Sequence, residues 1–227
     1  MNPHNIVLQT PISNQELRKL KLGERVFVTG KVHTLRDMGH EKLFNVSDQG
    51  EKPPFDLRNG VVWHCGPIVK RKDDKWDVCV AGSTSSSRFT ALTSRLLSEF
   101  GVKCVIGKGT MGKDAIEAMK KYGAVYLMST GGAAALYASH IKEIENVHWL
   151  NLGMPEAVWV FEARKMGPFI VGIDSHGNSL VEEKRREDKQ RLIWLYEEAG
   201  VKLPQNYVWW PKIVVGSNKF IELIKEE

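Results

Sequence analysis

The sequence predicts an α/β protein with a parallel or mixed sheet and flanking helices. Three observations carry that prediction. Apolar, β-branched runs alternate with amphipathic helical stretches through the middle of the chain. Each run meets a glycine-bearing turn before its helix. The unit also repeats at roughly 25 residues, the distance expected of βαβ crossovers. Thus "WDVCVAG" leads into "STSSSRFTALTSRLLSEFG", "VKCVIG" into "KGTMGKDAIEAMKKYG", and "AVYLMST" into "GGAAALYASHIKEIE".

Taken in order, "IVLQTP" reads as a short opening strand and "NQELRKL" as a small helix. "ERVFVTGKVHTL" alternates apolar positions as a half-buried strand does. "DQGEKPPFDLRNG" is punctuated by Pro and Gly and reads as a loop. "VVWHCGPIV" is a strand running into a turn, and "KRKDDK" a hairpin tip. In the first of the three helices, Phe89, Leu92, Leu96 and Phe100 recur at three- and four-residue steps and form one core-facing stripe. "AVWVFEA" and "PFIVGID" read as two further strands, "SHGNS" as a turn, and the charged segment 181–199 as a helix. The tail "VKLPQNYVWWPKIVVGSNKFIELIKEE" has no place in this register. Its adjacent Trp209 and Trp210 suit either the chain's own core or a partner surface.

A chain of 227 residues with 42% hydrophobic and 26% charged residues can bury a real core, as one large domain or a domain with an appendage. The net charge is +5, but much of the basic charge sits beside Glu in "VEEKRREDKQRL", the pattern of a solvated helix face. No basic stripe interleaved with aromatics points to nucleic acid. There is no apolar run of membrane-spanning length and no signal pattern in "MNPHNIVLQTPIS", so a cytoplasmic location is expected, without a membrane partner. Cys65, Cys79 and Cys104 form no C-x-x-C pair and no disulfide framework. Cys79 and Cys104 lie in strand-like runs, where a free Cys behaves as a small buried hydrophobe, and Cys65 lies on a turn. Three cysteines could hold an iron–sulfur cluster with one open iron, but the structural reading is favoured and no metal ligand is expected in this chain.

Helix N-termini expose unpaired N–H groups and partial positive charge, so the three glycine-bearing turns are candidate anion sites. They add Arg88, Lys108 and the Thr84 hydroxyl. Ser83, Thr84 and Ser85 equally suit helix N-caps. Lys108 stands between Gly107 and Gly109, where a long side chain can reach inward and the backbone can approach a ligand. Residues 107–113 read G-x-x-x-x-G-K, the opening of a phosphate-binding loop. However, Asp114 stands where that motif needs Ser or Thr for Mg²⁺, and its carboxylate would repel phosphates. Lys108, rather than Lys113, is therefore the expected working cation, aimed at a carboxylate.

"TLRDMGHEKL", "WHCGPIV", "AGSTSSSRF", "IGKGTMG", "STGGAAAL" and "LGMPEAVWVFEARKMGPFIVGIDSHGN" occur in this order. Together they resemble the β subunit, or C-terminal region, of the class I iron–sulfur fumarate hydratase and L-tartrate dehydratase family. The resemblance implies a swivelling β/β/α domain over residues 1–185; the helical extension and tail expected over 186–227 lie outside it. It implies a hydro-lyase that removes water from a four-carbon hydroxydicarboxylate, L-tartrate to oxaloacetate or malate to fumarate. It also implies a [4Fe-4S] cluster held by an α subunit, the partner in an αβ hetero-oligomer built as a dimer of heterodimers. Carried over by motif, Arg36 and Arg88 would bind substrate carboxylates. Lys108, flanked by Gly107 and Gly109, would bind or polarise the same dianion, and Thr84 would abstract the proton. Asp37, His40, His64, Gly131 and Gly132 would support them, the histidines by structural hydrogen bonds. Ser83, Phe89 and Thr110 depart from the family pattern, and Met38 and Gly39 sit in a variable part of it. Thr110 is the departure that bears on specificity. The alternative is a non-catalytic module that binds dicarboxylates or other anions.

Overall fold

The computed structural model describes residues 5–73 and 75–200. It contains β1 (Ile6–Gln9), α1 (Asn14–Lys19), β2 (Arg25–Thr34), α2 (Asp37–Asp48), β3 (Val61–Trp63), β4 (Ile68–Lys72) and β5 (Lys75–Val80). There follow α3 (Thr90–Phe100), β6 (Cys104–Gly107), α4 (Lys113–Tyr122), β7 (Val125–Met128), α5 (Ala134–Ser139), β8 (Ile141–His148), β9 (Val158–Ile173) and α6 (Leu180–Glu198). The described residues divide into two compact units, with the boundary between Val181 and Glu182. Trp209 and Trp210 lie outside the described residues. No helix among the described residues is long and apolar enough to cross a membrane.

Among the described residues the main sheet runs β1-β2-β3-β6-β7-β9-β8, and β9 also pairs with β2. Strands β2, β3, β6 and β7 are parallel, and β9 runs antiparallel to both β7 and β2, so the pairing closes on itself. This is the mixed sheet with flanking helices that the alternation predicts. Successive residues on β3, β6 and β7 serve two cores. Val61, Trp63, Cys104, Ile106, Val125 and Leu127 pack into one. Val62, Val105 and Tyr126 face the other, with Leu43 and Phe44 of α2, Leu96 and Leu97 of α3, and Ala115 and Met119 of α4. Strands buried on both faces read as continuous apolar runs, which is why these were visible in the sequence.

Local chemistry sets the helix ends. Ser13 and Glu16 form a reciprocal capping box at the start of α1. Gly101 and Gly123 end α3 and α4 in left-handed conformations, at φ of 64° and 63°, which a side chain would disfavour. In the second unit, α6 carries exposed i,i+3 pairs such as Lys184–Glu187, at 2.6 Å.

The structure corrects five local expectations. Strand β5 is not part of the parallel sheet, because it forms an antiparallel hairpin with β4, and Cys79 on it is exposed. Cys65 sits not on an open turn but buried, bridging Ser83 at the end of β3. The helix expected through "HIKEIE" stops at Ser139 with His140 as its C-cap, and Ile141 to Glu145 belong to β8. "AVWVFEA" and "PFIVGID" are one 16-residue strand, β9, held together because both halves pair with β2. Finally, "DMGHEKLFNVSD" forms α2, which the sequence reading did not assign.

Candidate active site

The carboxyl ends of β2, β3, β6 and β7 share one edge, the place where open α/β sheets bind ligands. Past β2 come Arg36 and Asp37; past β3, His64 and Gly66; past β6, Lys108 and Gly109; past β7, Ser129 to Gly132. A fifth segment, Ser83–Ser86, arrives from the hairpin and lodges between the ends of β3 and β6. The Thr84 N–H donates to the His64 carbonyl (2.8 Å), the Lys108 N–H to the Thr84 carbonyl (3.3 Å), and the Ser86 N–H to the Lys108 carbonyl (3.0 Å). The two strands pair directly from Val61 to Trp63 and then part around this wedge.

Side chains lock the wedge in place. Ser83 Oγ accepts the Trp63 indole N–H at 2.6 Å and lies 2.6 Å from Ser129 Oγ. Trp63 and Ser86 are fully buried. Gly107 is what lets the wedge approach, since a Cβ there would collide with Ser86 Oγ and stand 2.9 Å from the Tyr126 hydroxyl. Ser83, Thr84 and Ser85 are therefore not N-caps, and the N-cap position of α3 is Phe89, with no side-chain capping bond.

Three cations converge on this edge. Arg88, on a 3-10 turn at Ser87–Phe89, grips Asp37 through Nε (2.7 Å) and Nη2 (2.9 Å). Its Nη2 also donates to Thr84 Oγ1 at 2.9 Å, and Nη1 donates to the Ser85 carbonyl at 3.2 Å. The hydrogen bonds from Arg88 hold the Asp37 carboxyl below the usual carboxylate range. Arg36 occupies a slot over Gly66, where a Cβ would collide with Nη1 and stand 2.9 Å from the Pro155 carbonyl. Its Nε is 3.3 Å from Glu156 Oε1, and its Nη2 is 3.9 Å from Asp37 Oδ2. Lys108 is half-buried and runs beside Gly131, whose added Cβ would lie 3.5 Å from Lys108 Cδ. Among the described residues, no carboxylate forms an ion pair with its ammonium.

His40 stacks on Phe89 with ring centroids 4.9 Å apart, and His64 lies tilted against the same ring at 4.3 Å. His40 Nδ1 pairs with the Arg36 carbonyl at 2.8 Å and His64 Nδ1 with Ser86 Oγ at 2.9 Å. Burial holds the His40 pKa down to about 4 and that of His64 well below its ordinary value, so both are neutral near pH 7. Each is held through Nδ1, while the buried His64 Nε2 makes no hydrogen bond among the described residues. Gly109 and Gly132 are exposed turn residues with φ of 78° and 79°, and a Cβ added at either would meet open space.

Sequence reasoning missed Glu156, Gly66, Ser86 and Ser129. Glu156 lies in the quoted stretch "LGMPEAVWVFEA", but nothing local marks it as a partner of Arg36. The phosphate-loop reading fails on geometry as well as on Asp114. Thr90 Oγ1 takes the Gly112 N–H at 3.0 Å, and the Tyr126 hydroxyl donates to the Gly109 carbonyl at 3.1 Å. The loop is tied to its own scaffold, and Lys113 starts α4 as an exposed residue.

The cysteines do not fit an iron–sulfur cluster. Cys65 and Cys104 are buried with their thiol pKa values pushed up by burial, while Cys79 lies exposed on the hairpin. Among the described residues, no group of three His, Cys, Asp or Glu side chains could hold a metal ion.

Residues 1–184 match the family described as Fumarase C-terminus. The chain belongs to this family. It is 40% identical over 183 residues to the putative L(+)-tartrate dehydratase subunit beta of Methanocaldococcus jannaschii, covering 80% of this chain and 93% of the relative. It is 37% identical over 193 residues to the L(+)-tartrate dehydratase subunit beta of Escherichia coli, covering 85% and 94%. A putative class I fumarate hydratase of Geobacillus stearothermophilus is 37% identical over 188 residues, which are 82% of this chain but 35% of that longer protein. The relatives bear the names of hydro-lyases, enzymes that add water to, or remove it from, a carbon–carbon bond.

Proposed function

We propose that this chain is the β subunit of a hydro-lyase that removes water from a four-carbon hydroxydicarboxylate, L-tartrate to oxaloacetate or malate to fumarate. The observation that carries the reading is the convergence of Arg36, Arg88, Lys108 and Thr84 on one strand edge. Two carboxylates on a short carbon chain need fixed cations, and the guanidinium fork and the lysine ammonium provide them. Thr84 is the proton acceptor. Its hydroxyl accepts an Arg88 N–H, a setting that stabilises the alkoxide relative to the alcohol, while its backbone carbonyl accepts the Lys108 N–H. As the C–H bond adjacent to a carboxylate breaks, its electron pair forms the carbon–carbon double bond. Charge building on the carboxylate is met by Arg36 and Lys108. Gly107, Gly109, Gly131 and Gly132 shape the turns around Lys108, and Asp37, His40 and His64 hold the charged residues in register.

Departure of the hydroxyl lies outside what these residues do. In this reading that chemistry belongs to a [4Fe-4S] cluster on an α subunit, and the chain works in an αβ hetero-oligomer. Residues 1–185 form the site-bearing domain, and 186–227 an extension. The test is anaerobic co-expression with an α-type partner chain, co-purification, and paired assays on malate and L-tartrate. A brown complex that dehydrates one of them, with neither chain active alone, supports the reading and selects the substrate. A complex that turns over neither acid, or dicarboxylate binding by the chain regardless of any partner, supports the anion-binding module instead.

A further inference from the structure

We propose that Glu156 is a positioning residue for Arg36, the fixed end of an alternating charge chain that runs to the Thr84 hydroxyl. The inference rests on the reading of this edge as a dicarboxylate site. Glu156 comes from the turn before β9, far in sequence from every residue it serves. Its side chain is 12% exposed, and Oε2 accepts the Met38 N–H at 2.9 Å, one of the donors left unpaired at the start of α2. That bond fixes the carboxylate, so Oε1 is presented to Arg36 Nε at 3.3 Å. The Nε–H is buried and not aligned for a hydrogen bond, so the hold is charge attraction within the slot made by Gly66 and Pro155.

From there the charges alternate. Glu156 faces Arg36, Arg36 lies 3.9 Å from Asp37, Asp37 clamps Arg88, and Arg88 donates to Thr84. The two arginines are consequently not equivalent. Arg88 already uses Nε, both N–H groups of Nη2 and one of Nη1, which leaves one of its five donors. Arg36 keeps Nη1 and Nη2 free of hydrogen bonds among the described residues, the pair a substrate carboxylate can take side by side. Without the Glu156 charge, Arg36 is drawn onto Asp37, competes with Arg88 for it, and loosens the Arg88 contact to Thr84. Glu156 thus acts on both substrate grip and the hydroxyl through two arginines, without itself touching the substrate or the hydroxyl.

The experiment uses Glu156→Gln, which retains an acceptor for the Met38 N–H and the packing but removes the charge, with Glu156→Ala alongside. In the full chain, arginine-selective dicarbonyl labelling followed by peptide mass spectrometry should show Arg36 modified several-fold faster in Glu156→Gln, with Arg95 unchanged. In the assembled enzyme, KM should rise about tenfold, with a smaller fall in kcat. Unchanged Arg36 labelling overturns the proposal whatever the activity does. Labelling raised equally at Arg36 and Arg95 overturns it too, because that reports general loosening. Should the wild-type complex turn over no dicarboxylate, the functional reading fails while the labelling still decides the role of Glu156.

Discussion

Two arginine–aspartate pairs tie α2 to the segment after the hairpin, one at each end of the helix. At its start Asp37 pairs with Arg88, and at its end Asp48 pairs with Arg95 through both carboxylate oxygens. The pairs are alike in chemistry and exposure, with the arginine side chains 38% and 32% exposed. Each guanidinium also lies over a phenylalanine ring, Phe89 at 4.7 Å and Phe44 at 4.6 Å. They differ in where the remaining donors go. Arg95 ends on Glu99 at 2.6 Å, another surface carboxylate, whereas Arg88 ends on the Thr84 hydroxyl beside Lys108. The ion pair itself does not make a site. Its position at the carboxyl edge of the parallel strands does.

The sharpest way to break the comparison is at the hydroxyl and the ammonium. Thr84→Ala or Lys108→Ala should lower kcat/KM of the assembled enzyme by about 10³, while Arg95→Ala leaves it unchanged in the same steady-state assay. Retained turnover in Thr84→Ala would remove that residue from the chemistry. Next comes the close approach that admits the wedge. Gly107→Ala should cost roughly 2–4 kcal/mol in urea unfolding, because Ser86 cannot move without breaking the bonds on both sides of it. An unchanged midpoint would show that the wedge yields.

The paired aspartates sharpen the contrast. Asp37→Asn should cut kcat by roughly 10-fold or more, whereas Asp48→Asn should leave it within about twofold. Both should change unfolding free energy by less than about 1 kcal/mol, as exposed pairs do. Equal effects on activity would erase the distinction drawn here. A smaller, graded effect is expected from pH. His40 titrates near 4 when folded and near 6.5 when unfolded, so between these values the unfolded state binds more protons. Stability should be intact above about pH 6.5 and decline toward pH 4, by roughly 2 kcal/mol at pH 5 from this residue. His40→Asn should flatten that decline in acid unfolding curves. Smallest of all, Arg95→Ala should cost only about 0.5–1 kcal/mol.

How much was legible depended on where each element points its side chains. Strands β6 and β7 were plain because both faces are buried. Strand β5 resembled them in composition, yet Asp77 and Cys79 face solvent and only Trp76 and Val78 pack against a core. Strand β8 looked helical for a definite reason. Its register shifts between Ile141 and Glu143, and again between Ile144 and Asn146, each adding a residue. Ile141, Ile144 and Val147 therefore turn inward at steps of three, the spacing of a helix produced by bulges in a strand. Helix α2 begins at Arg36 without a side-chain cap and includes Gly39, so it lacked a start signal. The site cations announced themselves through glycines and local motifs. Glu156 did not, because its meaning lies in an arginine far away along the chain.

The wedge at Ser83–Ser86 carries a consequence for time as well as space. Catalytic threonines are commonly set on loops, and loops move. Here the segment bearing Thr84 is hydrogen-bonded along both edges, like an interior strand. The amide protons of Thr84, Ser86 and Lys108 should exchange with deuterated solvent as slowly as those of β6. Whatever opens to admit substrate must then be sought in the exposed turns at Gly109 and Gly131–Gly132 or on a partner, while the hydroxyl itself keeps still.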